Sequence, residues 1–455
     1  MTTMRRRPER ARTQACRRRR RRPGPVAALT ALVALVATAC GGAGTLPPPD
    51  ISPAAFGEHA TGTVQLWVRA ATQAASAPIV ASFNKSHPDL HVALTAIPDT
   101  QYITKLSTAI RGRSVPDVVD IDDINSTLLA YHEALTNITP LAKKLPYLKQ
   151  LSPGHLNLAT YQGRIYAVPY AADISVLYYN KKLFQQAGLD PAKPPASLDE
   201  VLTDARAITK LGKGIKGFSF GGNNPGIMGF TGLPSVWASK NYLFKGQLGN
   251  QTAHVSDNPA LRKMLQFYRA VWAQGLSQPT SRTETGATWG KDFLAGKVGL
   301  WPGNEGSLAA GMTPAFAKDV GAVALPGALS GSSVFVGGDN IAIPRGAKNA
   351  SGAWEYIEYA LQISQQSTLP KAGFTPIRAD VATPRFEATY PRTAVALKAL
   401  STGYAEKTLA YNTAINQVSG PWFTLFTAAV FGGDVNAALQ KAQSGFTRAL
   451  KQAQT

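Results

Sequence analysis

The arrangement with the most obvious chemical potential is Gly217-Phe218-Ser219-Phe220-Gly221, a G-x-S-x-G at the end of a strand-like run. A serine on such a turn becomes a nucleophile only when an acid and then a histidine follow it in the chain. His254 is the only histidine downstream, and no acid lies between it and Ser219. The segment is therefore expected to be a small-residue strand end. His132-Glu133 lacks the second histidine of a zinc-protease helix, and no G-x-x-x-x-G-K-[ST] phosphate loop occurs. Cys16 and Cys40 are the only cysteines, too few for a thiolate metal site or a disulfide framework. No metal and no cofactor are expected, and none of these motifs supports an enzymatic activity.

What remains is a set of carboxylates at element ends: Asp120, Asp122, Asp123, Asp173 and Glu305. Two of them facing each other could cleave a glycosidic bond. The same groups also hydrogen-bond sugar hydroxyls without chemistry, while an indole covers the apolar C–H face of the ring. Trp67, Trp301 and Trp422 stand at or near predicted element ends, whereas Trp272, Trp289 and Trp354 fall inside predicted helices, where core packing is the expectation. A secreted glycoside hydrolase, a carbohydrate receptor and a purely structural surface protein all remain open on these residues alone.

Compartment narrows the choice. Ala37-Thr38-Ala39-Cys40 closes an apolar run over residues 26–37, preceded by the block Arg17 to Arg22. An apolar run of ~7–15 residues behind a positive segment is a secretory signal. It is shorter than the ~18 residues a membrane span needs. Small residues before a cysteine form a lipobox, so cleavage before Cys40 and lipidation of its thiol are expected, with export by either the Sec or the twin-arginine route. Residues 1–39 are then a signal peptide and 40–58 a lipidated cysteine with a flexible linker containing Pro47-Pro48-Pro49.

The formal net charge of +20 would suggest nucleic acid. Half of it, however, sits in the leader, where eleven arginines face one acid, Glu9. The remaining Lys and Arg are scattered along helix-like segments rather than gathered on one stripe, so no nucleic-acid partner is expected.

The elements that must position the carboxylates follow an alternating pattern. Strands are predicted at residues 63–68, 91–96 and 116–121, with amphipathic helices at 74–85 and 102–111 between them. Such alternation predicts a parallel sheet covered on both faces. Residues 164–170 and 174–179 break the rhythm: two strand-like runs joined by Ala171-Ala172-Asp173, too short for a helix, which predicts a crossing between two lobes. Ser197-Leu198-Asp199-Glu200 is a good helix start. A Gly/Asn/Pro-rich loop is expected at 221–232, helices at 259–274, 289–295 and 347–361, strands at 217–220, 298–301, 320–325 and 340–343, and a mostly helical tail from 394 to 454.

With these patches in place, the chain resembles extracellular solute-binding proteins of bacterial ABC importers, in the carbohydrate-binding group that includes maltose-binding proteins. The resemblance covers nearly all of residues 60–450. It is carried by Leu66-Trp67, Phe83-Asn84, Pro116 to Val119, Leu135 to Pro140, Tyr166 to Pro169, Leu177 to Phe184, Phe293 to Lys297, Gly337 to Asn340 and Gly373 to Arg378, in that order. It implies an α/β fold of two lobes, each a mostly parallel sheet flanked by helices. The N-terminal lobe would span 59–172 plus 322–372 and the C-terminal lobe 173–321 plus 373–455, hinged around a ligand in the cleft.

Carried over residue by residue, the resemblance implies a ligand-binding set. Asp173 matches a sugar-binding carboxylate of the crossing, and Trp422 a stacking indole. Asp122 and Asp123 match the first-lobe binding loop, where Ile121 replaces a frequent aromatic. Trp301, Asn304 and Glu305 match a segment that faces ligand, Gly338 and Asp339 a Gly-rich turn bordering the cleft, and Trp67 and Arg69 a contact after the first strand. Asn224 is a weaker candidate. The implied partners are a sugar or small oligosaccharide, an ABC permease and, through Cys40, the outer face of the cell membrane, with the protein itself a monomer. A glycerophosphodiester ligand is the implied alternative.

Overall fold

A computed structural model describes residues 60–455, so the signal peptide, Cys40 and the linker lie outside the described residues. Two mixed sheets organise the chain. The strands that build them are β1 (Gly62–Arg69), β2 (Leu90–Ile97), β3 (Val118–Asp122), β4 (Val168–Ile174), β5 (Val176–Asn180), β6 (Lys216–Phe218), β7 (Val298–Gly303), β8 (Val320–Val323) and β9 (Val336–Ala342). The first sheet has the order β2-β1-β3-β9-β4 and the second β8-β5-β7-β6.

Each sheet contains one strand running against the others. β1 is parallel to β2 and β3, while β9 is antiparallel to both β3 and β4. In the second sheet β5 is antiparallel to β7 and β8, and β7 is parallel to β6. The sheets are thus mixed, with all strands but one in each running the same way, in keeping with the mostly parallel sheets the sequence implies. β5 and β9 are the strands the chain enters as it passes from one sheet to the other, and a strand arriving from outside needs no crossover helix to reach its place. β4 and β5 are separated by Ser175 alone, so Asp173 lies on a strand rather than in a connecting turn. The return passage falls between Val323 and Val336, later than residue 322, because Val320–Val323 pairs with β5.

Helices cover the sheets: α1 (Gln73–Ser86), α2 (Asp99–Arg111), α3 (Asp123–Tyr131), α4 (Leu198–Thr209), α5 (Pro225–Trp237), α6 (Pro259–Ala273), α7 (Ala350–Ala360), α8 (Pro421–Thr427) and α9 (Val435–Gln454). The first four residues of β3 are all buried, including Asp120, as expected of a strand covered on both faces. α4 starts as the sequence indicates: Ser197 accepts from the Glu200 N–H at 3.2 Å, and Glu200 reaches back to the Ala196 N–H at 2.9 Å, close to a capping box.

Residues 221–232 depart from the loop expectation, because α5 runs through most of them. Asn224 caps it and Pro225 occupies its first turn, where a missing N–H costs nothing. Its glycines serve close packing: a Cβ on Gly229 would come within 3.0 Å of Ile415. The helix expected at 289–295 shrinks to Lys291–Leu294, which leaves Trp289 outside it.

Candidate functional site

A cavity of about 340 Å³ opens where the ends of the two sheets meet. Elements of both sheets line it. Arg69 ends β1, Asp122 ends β3, Asp123 begins α3 and Asp173 lies near the end of β4. On the other side stand Asn224 at the start of α5, Asn304 after β7, and Trp289.

Three of these polar residues are helix caps, which is why the sequence puts them there. Asp122 accepts from the Ile124 N–H at 3.3 Å, Asn224 from the Ile227 N–H at 3.1 Å, and Asn304 from the Ser307 N–H at 3.1 Å. Each cap leaves part of its side chain for other work. Asn304 Nδ2 donates to Asp173 Oδ1 at 2.8 Å, joining the crossing strand to the second sheet's loops. Asn224 Nδ2 donates to the Thr285 carbonyl at 2.8 Å.

The first-sheet wall is dense in carboxylates. Arg69 donates to both oxygens of Asp339 at 2.7 Å and lies 3.2 Å from Asp99 and 3.5 Å from Asp122. Beneath it, Asp120 accepts from the Arg69 N–H at 3.0 Å and from the Thr72 hydroxyl. Burial pushes the Asp120 carboxyl well above the usual range, with Asp339 adding to the rise. Burial does the same to Asp123, helped by Asp122 beside it. Asp173 is pushed up to about 6 by burial, against which its Asn304 hydrogen bond and Arg69 pull downward. Carboxylates in this state gain from any donor that a ligand brings.

Aromatic rings complete the lining. Trp289, Phe230, Phe335 and Tyr411 all line the cavity, and Phe230 packs 6.2 Å from Trp289 and 5.3 Å from Phe335, centroid to centroid. Trp289 Nε1 is buried without a partner. Gly338 lines the cavity at φ +113°, and a side chain there would strike the Ala171 carbonyl. Glycine lets the two strands close up at this point.

The structure thus brings Arg69, Asp122, Asp123, Asp173, Asn224, Asn304 and Gly338 to one cavity, and places the other candidates elsewhere. Asp339 lies fully buried under Arg69. Glu305 turns away to accept from the Tyr178 hydroxyl at 3.0 Å, with Arg392 at 3.8 Å. Trp67 lies under the Lys105 ammonium, 4.8 Å from its ring. The expectation that Trp301 and Trp422 present their indoles to a ligand is corrected. Both are wholly enclosed, Trp301 among Tyr178, Trp289 and Phe293 and Trp422 with its Nε1 on the Pro225 carbonyl. A face already covered by protein cannot stack on a sugar.

Sequence reasoning missed Trp289, Phe230, Phe335, Tyr411 and Asn416 as cavity residues. The predicted helix over Trp289 and the predicted loop over Phe230 hid them; the Asn-Pro start of α5 was the available signal. His254, the one histidine after the elbow serine in the chain, hydrogen-bonds Thr252 and Asp257.

A model of bacterial extracellular solute-binding proteins matches residues 78–394. Among curated proteins, the diacetylchitobiose binding protein DasA of Streptomyces coelicolor is 28% identical over 273 residues, 59% of this chain and 61% of that protein. The multiple sugar-binding protein of Streptococcus mutans is 26% identical over 296 residues, 62% of this chain and 66% of its own length. The chain therefore spans a little under two thirds of these relatives. Among solved structures, the sugar-binding protein MalE from Xanthomonas citri superposes with a TM-score of 0.77 at 21% identity, covering 86% of this chain and 98% of that one. UgpB from Mycobacterium tuberculosis in complex with glycerophosphocholine gives 0.69 at 24% identity, covering 86% and 99%. At these identities the structural likeness establishes the α/β periplasmic-binding-protein fold.

Proposed function

Because this chain belongs to the bacterial extracellular solute-binding protein family, a family of binding proteins rather than enzymes, we propose that it captures a sugar or small oligosaccharide in the cleft between its two sheets and delivers it to the permease of an ABC importer. The two sheets with their helices act as lobes joined by the passages at Ser175 and between Val323 and Val336. Ligand contacts made from both sides stabilise the closed arrangement. Lipid on Cys40 tethers the protein, as a monomer, to the outer face of the membrane. Among the described residues, no helix is long and apolar enough to cross a membrane.

The observation that carries this reading is the cavity's composition. Carboxylates, the amides of Asn224 and Asn304, and the rings of Trp289, Phe230 and Tyr411 line the same cavity. Planar oxygens fix hydroxyl pairs while aromatic rings cover the C–H face of a pyranose. Asp122, Asp123, Asp173, Asn224, Asn304 and Arg69 are the proposed polar contacts. The names of the DasA and Streptococcus mutans relatives point the same way. A glycerophosphodiester fits less well: its phosphate would meet three carboxylates, and Arg69 is already held by Asp339.

Isothermal calorimetry of the purified protein against a saccharide panel tests the proposal. One-to-one binding without product formation is expected. Binding of glycerophosphocholine alone, or of peptides alone, defeats the carbohydrate reading.

A further inference from the structure

The wall of the cavity holds more acid than base. Among its lining residues Arg69 is the one cation, against Asp122, Asp123 and Asp173, and its guanidinium is already committed to Asp339 and flanked by Asp99. The local excess of negative charge stands in a chain whose formal net charge is +20. It is therefore a property of this cleft and not of the surface at large.

Asp123 is only 1% exposed, and while its Oδ1 accepts from the Ile124 N–H at 2.8 Å, its Oδ2 has no hydrogen-bond partner. A buried carboxylate oxygen left in this way is costly unless something arrives to pair with it. A neutral hydroxyl would supply a donor, whereas a cation would also offset the crowding of Asp122 against Asp123 that, with burial, holds the Asp123 carboxyl above its usual range. The rings of Phe230, Trp289 and Tyr411 line the same cavity, and aromatic faces attract cations. A metal ion is a poor candidate, since no group of three or more His, Cys, Asp or Glu among the described residues could hold one.

Resting on the reading of this cleft as a saccharide site, we propose that its ligand carries a protonated amine: an amino sugar or a short amino-sugar oligomer, with the ammonium beside Asp122 and Asp123 and the ring against the aromatic side chains. The ammonium supplies three donors, enough for the free Oδ2 of Asp123 and a neighbouring carboxylate at once.

The test is calorimetry on the purified protein with matched ligands: β-1,4-linked glucosamine dimers and trimers, their N-acetylated forms, and glucose oligomers of the same length and linkage. The amine forms are expected to bind about tenfold tighter or more than either neutral counterpart, the scale of one charge-assisted hydrogen bond, and to weaken as salt is raised. Equal or weaker binding of the amines, including none, overturns the inference while neutral binding leaves the saccharide reading standing. If no saccharide of either kind binds, both fail. Asp123→Asn should bring the amine-to-neutral affinity ratio down towards one; should that variant fold poorly, Asp122→Asn at the more exposed rim serves instead. A folded variant of either kind that keeps the full ratio also overturns the proposal.

Discussion

Arg69, at the end of β1, reaches across β3 to Asp339 of β9, its Nε and Nη2 each 2.7 Å from one carboxylate oxygen. The fork spans the middle strand of the sheet beside the cleft, and Asp339 and Asp122, paired in register across β3 and β9, both lie against the one guanidinium. Removing it leaves a fully buried carboxyl without its counter-charge. Arg69→Ala should cost roughly 3 kcal/mol or more of stability, read as a lowered urea midpoint. Arg69→Lys keeps the charge but loses the two-point geometry, and should fall between the two.

Asp173 offers a pH signature. Burial holds its carboxyl at about 6, and hydroxyl or ammonium donors from a ligand favour the ionised form. Binding then releases a proton, so affinity should rise with pH up to that value, level off above it, and fall as pH drops below it. Asp173→Asn should weaken binding by about 1.4 kcal/mol, or tenfold, and flatten the acid limb, as measured by calorimetry across pH.

Trp289 and Trp301 touch, with centroids 5.2 Å apart, yet should respond in opposite ways. Trp289 lines the cavity. Trp289→Ala should cost about 1 kcal/mol of ligand affinity, and ligand-induced fluorescence change should shrink with it. Trp301 is wholly enclosed, so Trp301→Ala should cost about 3–5 kcal/mol of folding stability. Similar melting temperatures for Trp301→Ala and the parent would contradict its place in the core.

Glu406, which does not itself line the cavity, governs a second pH effect. Its carboxyl accepts from Trp237 Nε1 at 3.0 Å and the Leu243 N–H at 2.7 Å, and burial pushes it up to about 7. A carboxyl raised in the folded state binds its proton there while the unfolded chain has already lost it, so stability declines as pH rises from the ordinary glutamate range to about 7. The decline attributable to this group is at most about 3 kcal/mol. Glu406→Gln keeps an acceptor oxygen and should flatten that part of the melting-temperature profile.

Hydrophobic periodicity made most elements legible. β1, α1, β2 and the helices after Ser197 and Pro259 lie within a few residues of their predicted bounds, because burial of one face imposes a period on the chain whatever it packs against. Asp122 and Asp173 could be picked out as carboxylates at predicted element ends, whereas Asn304 came only with the family resemblance. α5 was illegible, since glycine and proline mark loops in isolation and become helical only when neighbours such as Ile415 leave room for nothing larger.

The sequence by itself determined the family resemblance, the alternation of strand and helix, and the carboxylate-rich character of the strand ends. Tertiary structure alone decided which tryptophan faces the cavity, that β5 and β9 run against their sheets, and that Arg69 is spoken for by Asp339. The reason is physical: periodicity records whether a side chain is buried, but not what buries it, and a tryptophan enclosed by protein looks the same in sequence as one kept for a ligand.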